Sequence, residues 1–307
     1  ARALKAIAKT QGQALYGGEI AHAIAQERHR MGSPATGMVL TMLILTDEEF
    51  ASDATEAAVM SARQHPMRIL TLIPRPGRGP DQIDAQVMVG GDDGPGEVAI
   101  MRLRGDRSTH ANSVVIPLLL PDTPVVAWWP ADPPAVPADD PIGRHAQRRI
   151  TDLSTSVDVL AAIAERRDGY VPGDVDLAWT RLTPWRSALA SMLDLEHGPV
   201  RSASISAEPE NPSALLLVSW LHECLGTPVE LTPSDGPGIT GALLTTAHGD
   251  IRLTRPDGTV ATLSRPGVPD STIALPRRSL PELLNEELRR LDPDEVYGDA
   301  LLGTAPA

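Results

Sequence analysis

The sequence predicts an α/β protein of two domains, each a mixed sheet with packed helices. Three observations predict it. Met38 to Leu45 is a continuous apolar run after Gly37, which suits a strand buried on both faces. A helical stretch and a second apolar run, Met67 to Ile73, follow with short links, the order of a βαβ unit. Helix and strand then alternate again beyond Tyr170-Val-Pro-Gly-Asp174, and 307 residues suffice for two cores. The expected domains are 1–172 and 173–307, of related topology.

Taken in order, residues 1–31 are helical in pattern, with Leu4, Ile7, Ala8, Leu15, Ile20, Ala23 and Ile24 apolar and Gly17-Gly18 breaking the run. No Met opens the chain, so the expectation is a start inside a longer N-terminal helix. Asp47 is the N-cap of a helix reaching about Gln64, where His65-Pro66 stops it. Ile83 to Val89 and Glu97 to Leu103 alternate as a half-exposed antiparallel pair. Val125 to Trp129 is a further short apolar run, and residues 155–167 return to helical spacing.

In the second half a helix over 176–194 precedes a strand at Val200 to Ala207. Asn211 at N-cap, Pro212 at N1 and Gly226 at C′ bound the next helix. Strands are expected near 228–231, 239–246, 250–254, 259–263 and 271–275, with Pro256-Asp257-Gly258 as a hairpin turn. Ser279-Leu-Pro-Glu282 is a capping box opening a helix striped by Leu280, Leu283, Leu284, Leu288 and Leu291.

Composition excludes several function classes. A formal charge of -13 repels nucleic-acid phosphates and anionic bilayers. No long apolar run or signal-peptide pattern is present, so a cytoplasmic location is expected. Cys224 stands alone, which rules out an intramolecular disulfide and any cysteine-rich zinc site. Lys5 and Lys9 are the only lysines, which removes lysine-dependent phosphate loops and Schiff bases over nearly all of the chain.

Specific motifs fare no better. Gly236-Pro-Gly238-Ile-Thr-Gly241 matches G-x-G-x-x-G in letters, yet Pro237 sits in the turn and β-type residues follow, so it reads as a loop. His222-Glu223-Cys224 lacks the second histidine of a zincin. No nucleophile, metal set or cofactor loop emerges; the expectation is a non-enzyme without cofactor or metal.

The strongest local signal is Pro121 to Asp152. It holds Val125-Val-Ala-Trp128-Trp129-Pro130, a stiff stretch with Pro133, Pro134, Pro137 and Pro141, and then Arg144, His145, Arg148 and Arg149. Adjacent strand residues face opposite ways, so Trp128 and Trp129 cannot share one core. Either the second ring is covered by the following loop, or it belongs to an exposed aromatic-and-arginine contact surface. Were 142–147 a helical turn, Arg144 and Arg148 would fall on one face at i and i+4, a fork for carboxylate or phosphate. Asp139, Asp140 and Asp152 are near enough to neutralise it, and partner carboxylates or a small phosphate are the other readings.

These residues resemble a known family. His65-Pro66-Met-Arg-Ile-Leu70, Gly96-Glu-Val-Ala-Ile-Met-Arg-Leu-Arg104 and above all Pro124 to Pro130 with Asp140 to Asp152 look like the glucose-6-phosphate dehydrogenase assembly proteins, OpcA. The resemblance is densest from Met38 to Asp152. It implies a non-catalytic bacterial cytosolic protein that binds glucose-6-phosphate dehydrogenase and supports its active oligomer; given such a partner, the reading of the stretch itself makes Trp128, Trp129, Pro130, Arg144, His145, Arg148 and Arg149 the expected partner-binding residues. Where relatives have cysteines proposed for redox control, this chain offers Cys224 alone. The alternative is a regulatory module holding a sugar phosphate on Arg144, Arg148 and Arg149.

Overall fold

The computed structural model describes residues 7–8, 17–31, 37–77, 80–89, 96–194 and 197–304. In chain order the first elements are β1 Ile7–Ala8, α1 Gly17–Met31, β2 Leu40–Leu45, α2 Glu48–Ser61, β3 Met67–Arg75, β4 Gln82–Val89, β5 Glu97–Arg104, α3 Ala111–Val115, β6 Val125–Trp128 and β7 Arg148–Thr151. They continue with α4 Val159–Asp168, β8 Asp174–Asp176, α5 Leu177–Thr180, α6 Thr183–Leu193, β9 Val200–Ala207, α7 Pro212–Leu225, β10 Val229–Pro233, β11 Ile239–Thr246, β12 Gly249–Thr254, β13 Val260–Arg265, β14 Val268–Ala274, α8 Leu280–Glu287 and α9 Glu295–Leu302. No helix among the described residues is long and apolar enough to cross a membrane.

Two compact units result. One comprises residues 1–151 with 280–293, the other 152–279 with 294–307. The division by contacts therefore falls some twenty residues before the Pro-Gly signal at 170–174, because the segment after Asp152 is tied to later residues. The Leu153 amide donates to both oxygens of Asp176 (3.1 and 3.0 Å), and Arg181 grips Asp152. The leucine-striped helix α8 goes the other way and packs on α2. Ser61 Oγ donates to the Pro281 carbonyl at 3.2 Å.

In the first unit the sheet runs β1-β4-β5-β3-β2-β6-β7. Strands β5, β3, β2, β6 and β7 are parallel, and β4 pairs antiparallel with β5 as its alternation predicted. Numbering the parallel strands by sequence gives 3-2-1-4-5, the doubly wound order of dinucleotide-binding sheets. Both faces are covered, which explains why β2 and β3 carry unbroken apolar runs. Leu43, Leu70, Ala99, Met101, Ala127 and Trp129 share one face with Ile20 and Ile24 of α1 and Val114 and Val115 of α3.

The second unit is wound differently. Its order is β10-β9-β11-β12-β13-β14, with only β9 and β10 parallel, through α7. From β11 onward the links are too short for a crossover, so an antiparallel meander follows. Both units are mixed sheets with packed helices; the related topology expected of them is absent, since strand order and parallel content differ.

Local signals account for most element ends. Asp47 caps α2, Asn211 caps α7, and Gly226 takes φ +60° at the C-terminus of α7, where a side chain would be strained. The helix expected over 176–194 breaks into α5 and α6 ahead of Pro184, and α8 stops at Glu287, short of Leu291. Helix α9, capped by Asp294, was not foreseen. Of the helix expected over 1–31, the part before Gly17 lies outside the described residues except Ile7–Ala8, which is a strand.

Candidate functional site

The segment 121–152 places β6 beside β2, with Ile44 opposite Trp128 and Ile150 on its other side. Trp128 and Trp129 do face opposite ways, and both are buried, at 0% and 3% exposure. Trp129 joins the face holding Val125, Ala127, Ile142 and Ala146, so the proline-rich loop folds back over its ring. Asp140 staples that loop by accepting from the amides of Ile142 (2.8 Å) and Gly143 (3.2 Å). At Gly143 a Cβ would lie 1.8 Å from the Pro137 carbonyl oxygen and 3.2 Å from Trp129 Cη2, so only glycine lets the loop close. Pro130 is buried as well.

The basic cluster separates. Residues Gly143–His145 form a 3-10 turn, but Arg148 and Arg149 are the first residues of β7, so the i, i+4 fork of a helical turn does not form. Arg148 is interior: Nη2 donates to Glu287 Oε2 at 2.6 Å and Nη1 to the Asp292 carbonyl at 2.9 Å, with both side chains 5% exposed. Arg149, also buried, donates from Nη1 to the Ala146 carbonyl at 2.9 Å. Arg144 and His145 alone of the four are exposed, Arg144 standing 3.9 Å from Asp139. A conformer with both tryptophans and all four basic groups on one surface is therefore not the one folded here.

A second arrangement went unseen in the sequence. It lies at the C-terminal ends of the parallel strands, beside the point where the order reverses between β2 and β6 and where doubly wound sheets bind ligands. The turn from β2 into α2 reads Leu45-Thr46-Asp47-Glu48-Glu49, with no glycine. Asp47 Oδ1 accepts from the amides of Glu49 (3.0 Å) and Phe50 (3.1 Å), the helix-end donors a pyrophosphate would need. Glu48 is held by Arg102 (Nη2 to Oε1, 2.6 Å) from β5 and Arg75 (Nη2 to Oε2, 2.6 Å) from β3. Arg102, chiefly, pulls the Glu48 carboxyl down to about 2. Asp47 was legible as a cap; nothing in the spacing of Glu48, Arg75 and Arg102 reveals that three neighbouring elements bring them together.

These features define a class: an α/β protein whose first unit has the doubly wound order, with the first amides of α2 taken by the chain's own Asp47. Two sequence profiles narrow it. The profile described as glucose-6-phosphate dehydrogenase subunit N-terminal domain, of the OpcA assembly type, matches residues 58–168, and that described as the subunit's C-terminal domain matches 172–301. The chain belongs to this glucose-6-phosphate dehydrogenase subunit family.

No curated protein matches the sequence. Among solved structures, the chain is similar to KijD10, a 3-ketoreductase from Actinomadura kijaniata, at 13% identity over 88% of this chain and 96% of that one, with a TM-score of 0.49. It is also similar to the dehydrogenase MviM from Clostridium difficile, at 6% identity over 87% and 96% with a TM-score of 0.45. Gal80p from Saccharomyces cerevisiae, as a super-repressor mutant, matches at 9% over 82% and 86% with a TM-score of 0.40. At such identities these likenesses carry no functional reading.

Proposed function

We propose that this chain is a non-catalytic, cytoplasmic bacterial assembly factor that binds glucose-6-phosphate dehydrogenase and promotes its active oligomer. The family supports the partner. The observation that carries the non-catalytic part is the end of β2, where Asp47 occupies the first amides of α2 and Glu49 adds a further carboxylate in the first turn, Glu48 being paired with Arg75 and Arg102. Those charges oppose a dinucleotide's pyrophosphate at the place where this strand order would otherwise receive it.

Activation of this kind is differential binding. The factor raises activity only by holding the dehydrogenase's active form more tightly than its inactive one, and the gain cannot exceed that difference. In this reading Arg144 and His145 touch the partner. Trp128, Trp129, Pro130, Arg148 and Arg149 work indirectly, by fixing the loop that presents them. The sugar-phosphate alternative on Arg144, Arg148 and Arg149 draws no support from two guanidiniums engaged in the interior.

The test is the rate of the cognate dehydrogenase with and without the chain, repeated with an Arg144→Glu, His145→Ala variant. Stimulation by the native chain that falls at least about tenfold in apparent affinity for the variant supports the proposal, since tenfold corresponds to ~1.4 kcal/mol. Absence of stimulation would remove the activator role; undiminished stimulation by the variant would remove this surface.

A further inference from the structure

Four arginines from three separate stretches of sequence line one cleft of the second unit: Arg181, Arg255, Arg277 and Arg278. Its volume is about 220 Å³, and Asn211, Trp185 and Gly238 complete the part that matters here. No acidic residue lines it. In a chain whose net charge is -13, such a concentration of guanidinium groups calls for an anion.

Fixed charge, rather than mobile surface charge, sets the cleft apart. Arg255 is 5% exposed, stacks 4.9 Å over the Trp185 ring, and donates to the carbonyls of Leu275 and Ile239 at 2.9 Å each. Its buried Nε finds no hydrogen-bond acceptor, and no carboxylate lies within ion-pair distance of it among the described residues. Burial first, and then the charge of Arg277, pull the Arg255 guanidinium below its usual range, as expected of a cation lacking a counter-ion. Asp257 acts on it in the opposite sense but spends its carboxylate on the amides of Thr259 (2.8 Å) and Val260 (3.0 Å). Glu208 likewise accepts from the Gly238 amide at 2.8 Å.

Two of the remaining members are held as well. Arg181 is paired bidentately with Asp152 (2.7 and 2.8 Å), and Arg278 donates to the Thr180 carbonyl at 3.0 Å, while Arg277 is exposed. Asn211 caps α7, its Oδ1 accepting from the Ala214 amide at 3.0 Å. A Cβ at Gly238 would come within 3.8 Å of Arg255 Nη2 and 3.9 Å of Asn211 Nδ2, so guanidinium and carboxamide converge beside a residue with no side chain. The G-x-G letters of Gly236-Pro-Gly238 thus fall beside an arginine cleft, not on a dinucleotide turn.

We propose that this cleft binds a small dianionic ligand, a phosphomonoester. Guanidinium forks recognise phosphate oxygens directionally. The volume falls below the roughly 300–1,000 Å³ of sites that enclose drug-sized molecules, which favours a compact monoester over a dinucleotide.

Calorimetric titration of the full chain at low salt with inorganic phosphate, a hexose monophosphate and the unphosphorylated hexose tests it. Saturable binding of both phosphorylated probes, none of the free sugar, and loss of about tenfold or more in affinity on Arg277→Ala are expected, tenfold being ~1.4 kcal/mol, the order of one charged hydrogen bond. Arg277 is exposed, so the variant keeps its fold, and an unchanged melting curve verifies that. Equal affinity for both phosphorylated probes would assign recognition to the phosphate group alone; tighter ester binding would extend it to the sugar. No saturable binding of either, or full affinity in Arg277→Glu, would overturn the proposal.

Discussion

The two arginine-rich regions of this molecule behave in opposite ways. Arg144, His145, Arg148 and Arg149 are neighbours in sequence and dispersed in space: two enter the interior against Glu287 and backbone carbonyls, and two face solvent. Arg181, Arg255, Arg277 and Arg278 span nearly a hundred residues and converge on one cleft. The difference follows from secondary structure. A strand starting at Arg148 sends adjacent side chains to opposite faces, whereas strand ends and loops of a sheet gather residues that sequence separates.

Of these residues Arg148 matters most to stability. Arg148→Ala should destabilise the protein by about 3–5 kcal/mol, because it leaves the Glu287 carboxylate buried and uncompensated. Denaturant unfolding measures it. Adding Glu287→Leu to an Arg148→Met variant should recover most of the loss; no recovery would mean that Arg148 acts by some route other than this pair.

A smaller effect is expected at Gly143→Ala, whose Cβ would meet the Pro137 carbonyl and the Trp129 ring. Overpacking there should cost about 1–3 kcal/mol and increase the exposure of Trp129, read from fluorescence quenching.

Glu48 should contribute less again, and in a defined pH window. Arg102, mainly, holds its folded value near 2, below the ordinary 4.5, so its contribution is complete above about 4.5 and vanishes as pH falls through about 2. The carboxylate is 46% exposed, so solvent screening limits the effect to about 1 kcal/mol at most. Native protein and Glu48→Gln should differ in unfolding free energy at pH 7 and converge near pH 2; parallel curves would contradict the pairing.

Arg144→Ala should do almost nothing to the fold. Its ion pair with Asp139 is 3.9 Å long and largely exposed, so stability should stay within about 0.5 kcal/mol of the native value. Destabilisation as large as that of Arg148→Ala would erase the distinction between the interior and solvent-facing members.

Much of the fold was legible because apolar runs and caps are local. The β2-α2-β3 unit, the antiparallel β4–β5 pair, and Asn211 and Gly226 at the ends of α7 all follow from residues within a few positions. The doubly wound strand order was not legible, since it depends on which strands meet after long connections. The candidate site was legible in part. Alternation placed Trp128 and Trp129 on opposite faces, but burial of the second ring depends on Gly143 and Asp140 folding the loop back. Glu48 with Arg75 and Arg102, and Arg255 with Trp185, are tertiary encounters that no spacing records.

The most direct measurement for the proposed function is the mass of the cognate dehydrogenase by analytical ultracentrifugation, alone and with this chain. A single faster-sedimenting species containing both proteins is expected, with the dehydrogenase shifted to its active oligomer. An unchanged dehydrogenase mass, with this chain sedimenting by itself, would contradict it.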